Sequence, residues 1–313
     1  MNCKLSCDLP KLVIILGPTA CGKSELAIKL AVDIGFEIIS ADSLQIYKHF
    51  DIGTAKPAVQ TLSSIPHHLI DIVEPDCEYN AGLFRKNAIQ VIDILLTKNK
   101  KILVVGGTYL YVRVLTEGLI EGVEPDSNYR EQLKTERYLY GNQYIYKQLI
   151  RCDPESAKNI AENDYVRLER ALEVYHLTGI KMSQLQKEHS FSEKRYEVFK
   201  IGIDIEREIL KNIIEIRLDK MLKDGFTDEV IELRDMGYDK TLKPMQSIGY
   251  KEINDYLDGL ISFETAKEKI IINTRRLAKR QMTWLRRDKD IRWYELPDAY
   301  ARVVNDLKQF YQV

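Results

Sequence analysis

Eight consecutive residues near the start of the chain carry its strongest chemical signal: Gly17, Pro18, Thr19, Ala20, Cys21, Gly22, Lys23 and Ser24 fit the Gly-x4-Gly-Lys-Ser pattern of a phosphate-binding loop. Glycines let backbone N–H groups turn inward around phosphate oxygens, Lys23 supplies a positive point charge, and the Ser24 hydroxyl is a ligand suited to Mg2+. Such a cradle serves phosphoryl transfer, nucleotide switching and diphosphate departure alike, so it does not by itself select a reaction. Two further groups narrow the choice. Asp42, in the stretch SADSLQIY, is a carboxylate able to hold a cation, accept a proton or cap a following helix. Thr108, after Gly106 and Gly107, offers a hydroxyl at the end of an apolar run.

These groups need elements to position them. The β-rich runs at 11–16 and 36–41 and the KILVVGGT run at 101–108 each end in glycine or polar residues, as buried parallel strands do when they present chemistry at their carboxyl ends. Helical spacing follows the first run over 24–34 and precedes the third over 81–97. Residues 125–190 turn mainly helical, 196–204 read as a returning strand, and helical patterns follow over 206–223, 227–236 and 263–286. The pattern predicts an α/β fold. Its core, 1–124 and 196–313, is P-loop NTPase-like, with a mainly parallel sheet flanked by helices and an inserted helical domain at 125–195.

Composition limits the function. With 46 basic and 47 acidic residues in 313, the formal charge of −1 excludes a globally basic nucleic-acid binder and leaves a local basic face open. Such a face exists in residues 275–287, which hold six basic residues and no acidic one. On a helix, Arg276, Arg280 and Arg287 share one stripe, with Arg275, Lys279 and Arg286 beside it and Leu277, Ala278, Met282 and Leu285 facing inward. No apolar stretch is long enough to span a membrane, and the first residues lack a signal region, so a cytoplasmic protein with no membrane partner is expected. Five scattered cysteines fit a reduced chain better than a disulfide framework, and Cys3 with Cys7 makes a poor metal site. The adjacent His67 and His68 point to opposite faces of a strand and read as structural.

In order along residues 17 to about 287, GPTACGKS, ADSLQIYKHFDIGTAKP, HHLIDIVEP, VVGGTYLYV, RLERALEVYHLTG, QSIGYKE and TRRLAKRQMTWLRR resemble the successive signatures of the bacterial tRNA dimethylallyltransferase family. The resemblance implies transfer of the dimethylallyl group of dimethylallyl diphosphate to the exocyclic N6 amine of the adenosine 3′ of the anticodon. The tRNAs concerned read codons beginning with U. It implies Mg2+ held at Ser24, diphosphate in the 17–24 loop, Asp42 as the base, and Lys23, Thr108 and Arg217 as further catalytic groups. It places the tRNA anticodon stem-loop against Asp42, Ser43, Leu44, Gln45, Thr108, Arg130, Val166, Arg167, Leu168, Glu169 and Arg170. Gln246, Ser247, Ile248, Gly249, Tyr250, Lys251, Arg276 and Arg280 complete that set. A monomer is expected.

The target adenine must leave its stack to reach a recessed carboxylate, and the Gln45 amide has the donor and acceptor to read its edge. Two departures stand out: His49 occupies a usual glycine position, and Cys21 stands where serine or alanine is common. Three alternatives remain at this stage: a small-molecule kinase using ATP in the cradle, a prenyltransferase of free adenine nucleotides, and a non-catalytic RNA binder. On residue pattern alone Arg217 fits a solvated helix face and QSIGYK an ordinary turn.

Overall fold

The computed structural model describes residues 9–120, 123–190, 193–296 and 299–312. The run KLVIIL becomes β1 (Lys11–Leu16), whose Leu12, Val13, Ile14, Ile15 and Leu16 are fully buried. The phosphate loop leads from it into α1 (Lys23–Ile34), then β2 (Phe36–Ser40), α2 (Val59–Ser64), the short β3 (His67–His68), α3 (Ala81–Thr97), β4 (Lys101–Gly106) and α4 (Tyr109–Glu117). A helical stretch follows: α5 (Ser127–Tyr140), α6 (Asn142–Cys152), α7 (Pro154–Asn159), α8 (Tyr165–Thr178) and α9 (Met182–His189). The chain then returns through β5 (Glu197–Asp204), α10 (Arg207–Lys223), α11 (Phe226–Asp235), α12 (Tyr250–Leu257), α13 (Phe263–Leu285), β6 (Ile291–Glu295) and α14 (Tyr300–Tyr311).

The sheet order is β3-β2-β4-β1-β5-β6, and every pairing is parallel. With β4 on one side and β5 on the other, β1 is covered along both edges, which is why its sequence is continuously apolar rather than alternating. One face packs Val13, Ile15, Leu103, Val105 and Ile201 against Leu26, Leu30, Val303 and Leu307 of α1 and α14. Successive parallel strands leave their loops at one edge, so the turns after β1, β2, β4 and β5 gather at the carboxyl ends. The two histidines of β3 are structural: His67 Nδ1 lies 2.8 Å from Ile65 O, and His68 Nε2 lies 2.9 Å from Glu37 Oε2. Cys3 and Cys7 lie outside the described residues.

The chain divides into two compact units, Met1–Thr116 with Lys194–Val313 and Glu117–Glu193. The division comes earlier than residue 125, and Val123 is tied to the helical unit, its carbonyl accepting from Arg170 Nη2 at 2.8 Å. That unit has its own core of Leu133, Ile145, Leu149, Ala157, Leu168, Ala171 and Leu172. Its short helices α7 and α9 are joined by the buried Asp153, which accepts from N–H and hydroxyl of both Ser156 and Ser183 at 2.6–3.1 Å.

Candidate active site

The loop after β1 is held in a conformation that few sequences allow. Ala20 and Gly22 both have positive φ, 66° and 87°, and a Cβ on Gly17 would lie 2.6 Å from Cys21 Sγ. Ala20 packs against Leu210, Ile214 and Ala278, so α10 and α13 brace the loop from outside. Lys23 folds back, its Nζ donating to Pro18 O at 2.5 Å, while Ser24 is exposed in the first turn of α1. The Cys21 thiol is buried against the core, and burial raises its pKa despite the nearby Lys23 ammonium. Cys21 therefore contributes packing and a backbone N–H rather than a nucleophile.

The β2 and β4 exits approach each other closely. A Cβ on Gly106 would lie 2.1 Å from Ala41 O, so only glycine lets the two strand ends meet. Thr108 N donates to Ala41 O at 3.3 Å, and the Thr108 hydroxyl accepts from Ser43 N at 3.2 Å. Between them Asp42 Oδ1 accepts from Leu44 N at 2.8 Å and from Gln45 N at 3.4 Å, which caps the turn. Oδ2 has no hydrogen-bond partner among the described residues, so one carboxylate serves both a structural and a chemical role.

Arg217 is not on a solvated face. It is half-buried on α10; burial lowers its pKa and the Asp42 carboxylate raises it. Beside Asp42 stands an aromatic wall in which Tyr111 stacks on Phe84 at 4.3 Å and meets Tyr79 at 6.4 Å. Burial raises the Tyr111 pKa, with added repulsion from Tyr79, Tyr47 and Asp42. The Gln45 amide is committed to the loop itself: Oε1 accepts from Ser40 at 3.0 Å, and Nε2 donates to Thr54 O and Ala55 O at 3.3 and 3.4 Å. Its edge is not free to read a base, because the turn carbonyls already use it.

Two residues outside the predicted site set organise this crevice. Gln281 accepts from Thr19 N at 2.8 Å and donates to Gly107 O at 3.0 Å, joining the phosphate loop to the β4 exit. Its signal in the sequence is an amide at a position four residues from both Leu277 and Leu285, on the inward face of α13. Glu229 of α11 accepts from the N–H groups of Asp51, Ile52 and Gly53 at 2.9, 2.6 and 3.1 Å and from the Tyr250 hydroxyl at 2.6 Å. It clamps the turn whose carbonyls hold Gln45. That turn includes His49 at φ 65°, a conformation histidine tolerates where glycine is usual.

Most of the basic helix emerges: Arg275, Arg276, Lys279 and Arg280 are exposed, Ala278 and Leu285 are buried and Leu277 and Met282 half-buried, but α13 ends at Leu285, so Arg286 and Arg287 lie past its end and not on its stripes. A shallow groove of about 560 Å3 brings Arg276, Lys279, Arg280 and Asn273 together with Ile248. Gln246 and Lys251 are also exposed and Ser247 is half-buried, but Gly249 and Tyr250 are buried against Phe226. Tyr250 cannot touch RNA through its ring; it supports the loop through Glu229.

In the helical unit Val166 and Arg167 are exposed, Arg167 pairing with Asp164 at 2.9 Å. Leu168 is fully buried in that unit's core, which corrects its assignment as an RNA contact. Arg130 and Arg170 both bind the buried Glu173, at 2.6 and 2.5 Å, so their charges are already partly neutralised. Half-buried Glu169 lies 3.7 Å from Arg130; burial raises its pKa against the pull of that guanidinium.

The family model described as IPP transferase matches residues 45–288, and that described as isopentenyl transferase matches residues 10–74. The chain is 45% identical over 302 residues to a tRNA dimethylallyltransferase 2 of Geotalea daltonii, covering 96% of this chain and 93% of that protein. It is 44% identical to a tRNA dimethylallyltransferase of Geobacter metallireducens, with 96% and 97% covered. Among solved structures, the full-length tRNA isopentenylpyrophosphate transferase of Bacillus halodurans is similar at 35% identity and TM-score 0.70, covering 96% and 95%. A eukaryotic dimethylallyltransferase acting on tRNA is similar at 29% identity and TM-score 0.79, covering 91% of this chain and 74% of that one.

Proposed function

The chain belongs to the IPP transferase family, and from that premise we propose that it transfers a dimethylallyl group from dimethylallyl diphosphate to tRNA. The acceptor is the N6 amine of the adenosine 3′ of the anticodon, in tRNAs reading codons that begin with U. The observation that carries this reading is the continuity of the crevice. The phosphate loop is bonded through Gln281 to Gly107, and the next residue, Thr108, is bonded to the Asp42 turn. Leaving-group and acceptor machinery therefore share one sheet edge.

An allylic diphosphate ionises when charge growing on the leaving group is stabilised. The C1–O bond breaks with its electron pair going to the diphosphate, C1 bonds to N6, and N6 gives up one proton. Inward N–H groups of the 17–24 loop receive the diphosphate. Lys23 adds the two protons of its ammonium not engaged by Pro18 O, and the half-buried Arg217 offers a bidentate fork. Asp42 Oδ2 accepts the N6 proton, and the Thr108 hydroxyl orients the reactants beside it.

The residues fit Mg2+ bound jointly with substrate. The exposed Ser24 hydroxyl stands at the loop, where it would hold the cation together with substrate oxygens. Bound there, the cation would neutralise charge on the departing diphosphate.

The anticodon stem-loop lies on the Arg276 and Arg280 face and the exposed part of 246–251, with Arg130, Arg167 and Val166 as the contribution of the helical unit. Among the described residues no helix is long and apolar enough to cross a membrane, and a tRNA substrate fits a cytoplasmic enzyme acting as a monomer. The test is transfer of radiolabelled dimethylallyl, with Mg2+, to stem-loops bearing adenosine or guanosine at the target position, alongside AMP and ATP. Label only on the adenosine stem-loop supports the reading; label on AMP or ATP, or none at all, refutes it.

A further inference from the structure

We propose that Gln281 is a positioning residue for transfer, its carboxamide fixing the phosphate loop and the β4 exit relative to each other. The inference rests on the reading of that loop as the diphosphate cradle. Gln281 is half-buried on α13, between Ala278 and Leu285, both 2% exposed. One side of the space it fills offers only an N–H, from Thr19 at 2.8 Å, and the other only a carbonyl, from Gly107 at 3.0 Å. The group between must accept at one end and donate at the other. A neutral carboxamide does both; a carboxylate cannot donate and an ammonium cannot accept.

Gly107 is shaped for this partner, since a Cβ there would lie 2.6 Å from Gln281 Nε2. Each contact is one residue from the chemistry. Thr19 follows Pro18, whose carbonyl holds the Lys23 ammonium, and Gly107 precedes Thr108, whose hydroxyl is bonded at the Asp42 turn. The carboxamide thus spans from the leaving-group side to the base side, the separation on which attack geometry depends. It acts through Thr19 and Thr108, not on substrate.

The test uses the full chain with Mg2+, labelled dimethylallyl diphosphate and the adenosine stem-loop. Gln281→Met keeps the volume and removes both hydrogen bonds; kcat is expected to fall at least about tenfold, with the stem-loop KM within about threefold of wild type. Gln281→Glu is the diagnostic variant. Its protonated carboxyl reproduces the pattern, C=O accepting from Thr19 and O–H donating to Gly107 O, whereas its ionised form cannot donate.

Lys279 and Arg280 immediately precede position 281 on α13, and Lys23 is bonded to the carbonyl of Pro18, the neighbour of Thr19; these cations favour the ionised form of the variant carboxyl. At about pH 7.5 the ionised form sets a second acceptor against Gly107 O, so the kcat of Gln281→Glu is expected to fall at least as far as that of Gln281→Met, with the stem-loop KM again within about threefold of wild type. Wild-type kcat in Gln281→Met or in Gln281→Glu, or a loss confined to the stem-loop KM, overturns the assignment. If Gln281→Met does not fold, kcat in Gln281→Glu decides. A wild-type chain that labels no stem-loop refutes the transferase reading instead, so the two failures are distinct.

Discussion

Asp42 allows its structural and chemical roles to be separated by one pair of substitutions. Asp42→Asn keeps an oxygen in place of Oδ1, which accepts from Leu44 N and Gln45 N, and alters only the unpartnered Oδ2. Folding stability should therefore fall by only about 1 kcal/mol, the local hydrogen bonds staying intact while the half-buried Arg217 loses a facing carboxylate. The base is lost, and removing a positioned general base costs about 10²–10⁴ in rate, or roughly 2.7–5.4 kcal/mol of transition-state stabilisation. Asp42→Ala also removes the turn cap, adding about 1 kcal/mol of destabilisation. The assay pairs thermal unfolding with single-turnover transfer to the stem-loop, which isolates chemistry from product release. Transfer by Asp42→Asn within about tenfold of wild type would refute the reasoning, leaving Asp42 as a turn cap and the proton acceptor elsewhere.

Other outcomes follow from the same geometry. Glu229→Gln leaves an NH2 facing donors at one end of the clamp on residues 51–53, and denaturant unfolding should show a loss of about 1–3 kcal/mol; an unchanged midpoint would remove the clamp. Gly106→Ala drives a Cβ into the Ala41 backbone, so calorimetry should show a loss of at least about 1–3 kcal/mol. In the helical unit, burial works to raise the Glu173 pKa, but hydrogen bonds from Arg130 and Arg170 outweigh it and leave it below the ordinary 4.5. Its stabilisation is therefore complete above that value and lost as pH falls below it. Acid unfolding followed by circular dichroism should come at lower pH in wild type than in Glu173→Gln, and coincident curves would contradict the sign.

Much of the core was legible because buried parallel strands write themselves as continuous apolar runs. KLVIIL matches β1 and the helical spacing of 81–97 matches α3, both end to end. The phosphate loop was equally plain, since the glycines and Lys23 act through local backbone geometry. Less legible were α12, β6 and α14, whose short or mixed patterns are set by what they pack against. Arg217 illustrates the limit: period and charge place it on a helix but not which way that helix faces, and packing turned it toward Asp42. Tyr250 and Leu168 show the reverse, motif residues whose burial makes them supports rather than contacts.

What the sequence determined by itself was the local chemistry: a loop able to cradle phosphate, a carboxylate after the second strand, a hydroxyl after two glycines, and a basic helix. Those depend on residues close together in the chain. Only the tertiary structure decided that Thr19, Gln281 and Gly107 meet, although 262 and 174 residues separate Gln281 from its partners. The same holds for Glu229 and the 51–53 turn. A hydrogen bond needs its donor and acceptor within about 3 Å, and no periodicity encodes which distant polar groups the packing of a parallel sheet and its helices will bring that close.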